Sequence, residues 1–287
     1  MKKNNTWLIY ALVTTAFWGV WGAVIEIPEK NGFPATMGYI AWSLTMIPCS
    51  IIALKIINWK LDSSLKSILK GSLVGLTGAG GQLVLFQALR EGPAYLIFPI
   101  VSLYPILTIF LSMTILNESA SRRQYIGIIL ALIAIFLLSY TGDAQTSKSS
   151  YIWLILSAMV FIMWGLQAFA MKFSNESMKA ESIFFYMMIT GVALSPFAYF
   201  MTDFNQPINY GLSGGIAAFS IHFLNAIGAL TLVYALRYGK AIIVVPLTGL
   251  SPLITILISL LIYSVWPQPS LLAGMALAVI AIYLISE

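Results

Sequence analysis

The chain is poor in the residues that perform chemistry. Its 287 residues include one cysteine, Cys49, and one histidine, His222. A lone cysteine excludes an internal disulfide, and one His with one Cys cannot build a His/Cys metal centre. Charged residues make up 9% of the chain, against roughly a quarter in an ordinary soluble domain. No carboxylate falls deep inside an apolar run. That absence argues against a Na⁺ or H⁺ site built on a buried acid, and against strong selectivity for cationic cargo. A membrane enzyme would need acids, His or Cys clustered at one interface, and no such cluster occurs. No enzyme activity, cofactor or metal is expected.

What is abundant is apolar. Hydrophobic residues reach 60%, so most of the surface must face something other than water. Apolar runs broken by polar or turn clusters give ten spans, near 7–27, 36–57, 67–89, 94–116, 124–141, 151–171, 181–201, 211–236, 241–263 and 269–286. The opening MKKNNT before an apolar run imitates a signal peptide, but the run is long and lacks a clear cleavage site. It is read as an uncleaved first helix.

The basic residues set orientation. With the N-terminus inside, twelve of the fifteen fall on the cytoplasmic side: Lys2, Lys3, Lys55, Lys60, Lys66, Lys70, Arg122, Arg123, Lys172, Lys179, Arg237 and Lys240. Lys30, Arg90 and Lys148 are left outside. The net charge of +5 is therefore a cytoplasmic anchor in a lipid bilayer, not a nucleic-acid site. Both termini are expected in the cytoplasm, and the protein in the cell membrane.

The chain also repeats itself. LFQALREGPAYLIFPIVSLYPILT (85–108) returns 147 positions later as LVYALRYGKAIIVVPLTGLSPLIT (232–255), and GIILALIAIFLLS (127–139) returns as GMALAVIAIYLIS (274–286). Two units follow, 1–145 and 146–287, with five spans each. An odd number of spans forces the copies into opposite orientations, the plan of a transporter with its site between the halves. The fold class is all-α integral membrane, ten helices in two inverted five-helix repeats.

The segments FPIVSLYPILTIFLSMTILNESASRRQYIGIILALIAIFLL (98–138) and VPLTGLSPLITILISLLI (245–262) resemble the drug/metabolite transporter superfamily, in particular its EamA-like branch. The carriers are Leu103, Tyr104, Pro105, Leu116, Asn117, Glu118 and Gly127. Val265 stands where Glu118 would repeat, so that acidic helix end occurs once. The resemblance implies carriage of amino acids, other small metabolites or drugs, and export.

Overlaying the copies suggests where a solute would sit. Gly75, Gly78 and Gln82 share one face of the third span, and His222, Asn225 and Ala229 share the equivalent face of the eighth. These two unusual faces are expected to face each other across the pseudo-twofold axis. At an offset of 146, Trp18-Gly19 pairs with Trp164-Gly165 and Trp21 with Gln167; Tyr104 pairs with Ser251 beside the repeated prolines. The substrate-binding candidates are thus Trp18, Trp21, Gln82, Tyr104, Trp164, Gln167, His222, Asn225 and Ser251. Each has a plainer reading, as packing for the aromatics and interhelical hydrogen bonding for the amides. His222 alone has a near-neutral reference pKa and is the candidate for proton coupling, though a lone His is more often structural. Glu26, at the outer end of the first span, is a candidate gate or a solvated loop acid. Arg90 and Arg237, at helix ends, read as headgroup anchors. Gly71 and Gly75 read as close-packing positions.

The function expected is a secondary carrier for a small neutral or zwitterionic solute, acting by alternating access. A sugar or nucleotide-sugar carrier of the same fold is the alternative, since aromatics and amides suit both. A channel would predict rings of like residues from identical subunits, which a repeat within one chain makes less apt.

Overall fold

The structure, a computed structural model, describes residues 5–92, 94–139, 151–263 and 268–286. Lys2, Lys3, Lys148 and Val265, which bear on the charge and repeat readings, lie outside these residues. Every regular element among the described residues is helical. The helices are α1 (Thr6–Val24), α2 (Glu26–Lys30), α3 (Ala35–Ile56), α4 (Leu65–Glu91), α5 (Ala94–Ser102), α6 (Pro105–Ile115), α7 (Arg122–Ser139), α8 (Ile152–Asn175), α9 (Ala180–Phe200), α10 (Ala217–Tyr238), α11 (Ala241–Thr248), α12 (Ser251–Tyr263) and α13 (Pro269–Ser286). They form ten segments long and apolar enough to cross a membrane. The fourth span is the broken helix α5–α6, and the ninth is α11–α12.

Both breaks fall at the repeated prolines. Pro105 opens α6 as its first residue, where a missing N–H costs nothing. Ahead of it the chain tightens, with Tyr104 N–H bonding Val101 C=O at 3.0 Å. In the second copy Leu250 N–H bonds Leu247 C=O at 3.2 Å before α12 begins.

The halves are related by a pseudo-twofold that reaches individual atoms. α4 packs on α8 as α10 packs on α1; α6 packs on α8 as α12 packs on α1. Thr108 Oγ1 donates to Gly165 C=O at 2.9 Å, and its equivalent Thr255 Oγ1 donates to Gly19 C=O at 2.9 Å. A Cβ on Gly165 would lie 3.0 Å from Tyr104 C=O, and one on Gly19 would lie 3.0 Å from Ser251 C=O. The kinked helices can approach α8 and α1 this closely only because neither site has a side chain.

Two pairs of spans cross the axis. α3 meets α9 through Ser43 and Ser195 hydroxyls at 2.8 Å and Thr36 and Thr202 hydroxyls at 2.7 Å. α7 meets α13, where Gly127 faces Leu284 and Ile285 while Gly274 faces Leu137 and Leu138. Lipid tails are as apolar as leucine, so helix association rests on close packing and interhelical hydrogen bonds. The buried stripe of α1 (Ala11, Thr14, Thr15, Gly19, Ala23) is accordingly small, while large residues such as Leu261 and Phe200 stand 82% exposed, where lipid would cover them.

Candidate functional site

The repeated tryptophans make the same contact twice. Trp18 Nε1 donates to Asn225 C=O at 3.3 Å, and Trp164 Nε1 donates to Gly78 C=O at 3.3 Å. The two acceptors are themselves 147 positions apart. Each indole lies against a second repeated glycine, Trp18 on Gly228 and Trp164 on Gly81. Any side chain there would displace the ring.

Around this shared contact the halves diverge. On α10, Trp21 Nε1 donates to His222 Nδ1 at 3.3 Å, and Trp42 Nε1 donates to Asn225 Oδ1 at 2.9 Å. On α4, the Gln167 amide lies against Gly78, in space a Cβ would fill, and Thr190 lies against Gly75. Tyr104 meets Trp164 edge to face, centroids 6.1 Å apart. Gln82 is half-buried one turn beyond Gly78. Ser251 lies at the second kink, its C=O turned to Gly19.

Trp18, Trp21, His222 and Asn225 therefore form one cluster, and Tyr104, Trp164 and Gln167 form another. The α4 and α10 faces pack on different neighbours. Gly75 and Gly78 abut α9 and α8, whereas His222 and Asn225 abut α1 and α3.

His222 is 6% exposed, and it lines a small crevice, with room for about one water, together with Ile25, Pro28, Glu29, Phe33 and Gly38. Its Nε2 is the atom nearest Gly38, 3.1 Å from where a Cβ would stand. Glu29, not Glu26, lines this crevice. Glu26 pairs with Lys30 at 2.6 Å on the surface, the two side chains 64% and 59% exposed.

At the opposite end of the bundle, the end the charge bias reads as cytoplasmic, Glu118 ties the halves together and further polar bonds hold the helices of the second half to one another. Glu118 Oε2 accepts from Ile242 N–H at 3.1 Å, capping the start of α11. Lys172 Nζ donates to Leu236 C=O at 3.0 Å and Gly239 C=O at 2.7 Å, and stands 3.8 Å from Glu118. Tyr234 OH donates to Glu181 at 2.7 Å. Burial pushes the Glu118 carboxyl above its ordinary range, outweighing the Ile242 amide and Lys172. Arg237 donates to Met178 C=O and Arg90 to Met201 C=O, so both arginines tie helix ends to neighbouring loops and helices.

The sequence reading missed Trp42, Gly38 and this polar tie. The second and seventh spans carry their prolines, Pro48 and Pro196, 148 positions apart. An overlay at 147 therefore never brought α3 into register.

Ten apolar helices in two pseudo-symmetric halves, with partnered polar side chains between them, define a multi-pass membrane protein of the repeat-built transporter class. The model of the EamA-like transporter family matches residues 5–140 and, separately, 149–287. The chain belongs to that family, within the drug/metabolite transporter superfamily; it is a membrane transporter of small solutes and not an enzyme. An uncharacterized protein of Methanocaldococcus jannaschii is 32% identical over 139 residues, 99% of that protein and 48% of this chain. That relative has the length of about one repeat. A solved crystal structure shares the fold at a TM-score of 0.79 and 16% identity, over 98% of this chain and 97% of that one.

Proposed function

We propose that the protein is a secondary carrier that exports a small neutral or zwitterionic metabolite across the cytoplasmic membrane, its two repeats rocking in alternating access. The pairing of the repeats at both ends of the bundle supports this most directly. One end is tied by Glu118, Lys172 and Lys240; the other is bridged by Asn209 to Asn31 and Gly32, beside a small crevice that reaches His222. Contacts of this kind at each end are what alternating access breaks and remakes in turn, and inverted repeats allow two such arrangements at similar cost. On this reading both termini are cytoplasmic, the repeats are 1–145 and 146–287, and the crevice faces outward. Proton coupling through His222 would act by releasing Trp21, because an imidazolium has no acceptor for the indole N–H.

Counterflow in proteoliposomes tests the reading, against a panel of amino acids, sugars and nucleobases, with and without a pH gradient. Saturable, trans-stimulated flux of at least one solute is expected. Flux that never saturates would mean a channel, and binding without flux a receptor.

A further inference from the structure

Two hydrogen bonds fix what this site can offer a solute. An indole N–H is a donor and never an acceptor. The His222 nitrogen facing Trp21 must therefore be bare, which makes Nδ1 the acceptor and puts the imidazole proton on Nε2. By the same logic the Asn225 atom facing Trp42 must be the carbonyl oxygen, so its NH₂ group points the other way. Each tryptophan takes up the single acceptor of its partner side chain. What remains is two N–H donors, His222 Nε2 and Asn225 Nδ2.

Among the described residues neither donor has a protein partner. His222 is more than nine-tenths buried, and its Nε2 lies beside Gly38, the one lining position whose missing side chain leaves that nitrogen open to the crevice. Asn225 follows at i+3 on the same face of α10, one turn deeper and behind the lining of the crevice. Among the described residues the acid lining the crevice is Glu29.

We infer that His222 Nε2 and Asn225 Nδ2 form a donor-only floor, set by Trp21 and Trp42 as positioning residues, which selects solutes presenting an oxygen acceptor and takes a carboxylate best. This rests on the carrier reading and adds to it an orientation. A carboxylate enters first, toward α10, and meets charge-assisted hydrogen bonds without a cation in the membrane. An ammonium on the same solute trails toward Glu29. The order of preference follows: zwitterion first, simple acid second because Glu29 repels it at the mouth, and simple amine last because the floor offers it no acceptor.

The test uses the purified full-length chain and matched probes: leucine, its deaminated acid 4-methylpentanoate, and its decarboxylated amine 3-methylbutylamine. Thermal stabilisation gives apparent affinities, and counterflow in proteoliposomes gives flux. Leucine should bind more tightly than the acid, and the amine should not stabilise. Asn225→Asp keeps an oxygen for Trp42 and replaces the free NH₂ with a second acceptor. It should weaken leucine and the acid about 10- to 100-fold, since bonds to charged groups are the strong ones, and it should admit the amine. Gly38→Ala should weaken the same two probes by crowding Nε2. Trp42→Phe should leave the fold intact and blur the acid-over-amine preference by freeing the Asn225 amide to turn. Amine binding equal to acid binding, no binding of any probe, or Asn225→Asp binding like wild type each overturns the inference. Acid-selective binding without flux leaves the inference standing and removes the carrier reading. Flux that favours the amine does the reverse.

Discussion

The two halves use one tryptophan contact and then part company. Trp18 on Asn225 and Trp164 on Gly78 make the same bond at the same 3.3 Å, yet one acceptor residue carries an amide side chain and the other carries none. The bond is to the main-chain carbonyl, and every residue has one. A contact made to the backbone holds the repeats in register while leaving the side chain at that position free to differ. His222, Asn225 and Trp21 against Gly75, Gly78 and Gln167 are the result. Symmetry is carried by main chain and glycine, and selectivity by what hangs from them.

The sharpest way to break that comparison is to fill the shared glycines. Gly19 and Gly165 face equivalent carbonyls at equal distance, so Gly19→Leu and Gly165→Leu should cost the same, about 3 kcal/mol each or outright loss of folded protein. Folded fraction by size-exclusion chromatography reads this. A cost confined to one half would mean that the pseudo-twofold is not a shared mechanical frame.

The next largest effect lies where the symmetry has no second copy. Glu118→Ala removes the α11 cap and leaves Ile242 N–H and Lys172 without their carboxylate, costing about 2 kcal/mol. Glu118→Gln keeps an acceptor for the amide and should cost under half of that, because burial already disfavours the charge. The pH dependence has a definite sign. A carboxyl whose pKa is raised when this end is tied holds its proton more tightly tied than open. Acidification from neutral toward the ordinary 4.5 therefore favours the tied state, and the advantage is lost as pH rises. Alkylation of a cysteine placed at Ser119, taken as a ratio to that of a fully exposed cysteine at the same pH to remove the thiolate's own pH dependence, should slow as pH falls in wild type and be flat in Glu118→Gln. Faster labelling at low pH would reverse the assignment.

Equal but smaller losses are expected from the tryptophans themselves. Trp18→Phe and Trp164→Phe each give up one bond to a carbonyl that the helix also uses, about 1 kcal/mol apiece in thermal unfolding. A difference of more than the cost itself would show that the two contacts are not equivalents.

Much of this frame was legible in the sequence because it is written in features that survive overlay. Pro105 and Pro252, Gly19 and Gly165, and Trp18 and Trp164 recur at fixed offsets; the prolines mark the two helix breaks, and the glycines and tryptophans make repeated contacts. The helix count followed from apolar length alone. What stayed hidden depends on partners that recurrence does not report. Trp42 sits in a span one residue out of register, and it is the residue that orients Asn225. Glu118 read as a helix end, but its acceptor role depends on α11, 124 positions away. Equivalence under a twofold places residues symmetrically about the axis but does not name their neighbours: Gly75 and Gly78 pack on α9 and α8, and His222 and Asn225 on α1 and α3.

The smallest effect concerns Gln167, and its sign is informative. It stands where the other half has Trp21, but where Trp21 donates to His222, the Gln167 amide lies on Gly78 with no hydrogen-bond partner among the described residues. A polar amide deep in a membrane protein carries a desolvation cost unless something pairs with it. If packing were its purpose, a thioether of similar length would serve as well. Gln167→Met should therefore leave thermal stability within about 0.5 kcal/mol, or raise it slightly, while lowering flux in proteoliposomes. Interhelical amide bonds in membranes average about 0.6 kcal/mol and reach about 1.7. A loss near the upper figure with flux intact would make Gln167 a structural tie, and the divergence between the halves would then be confined to α10.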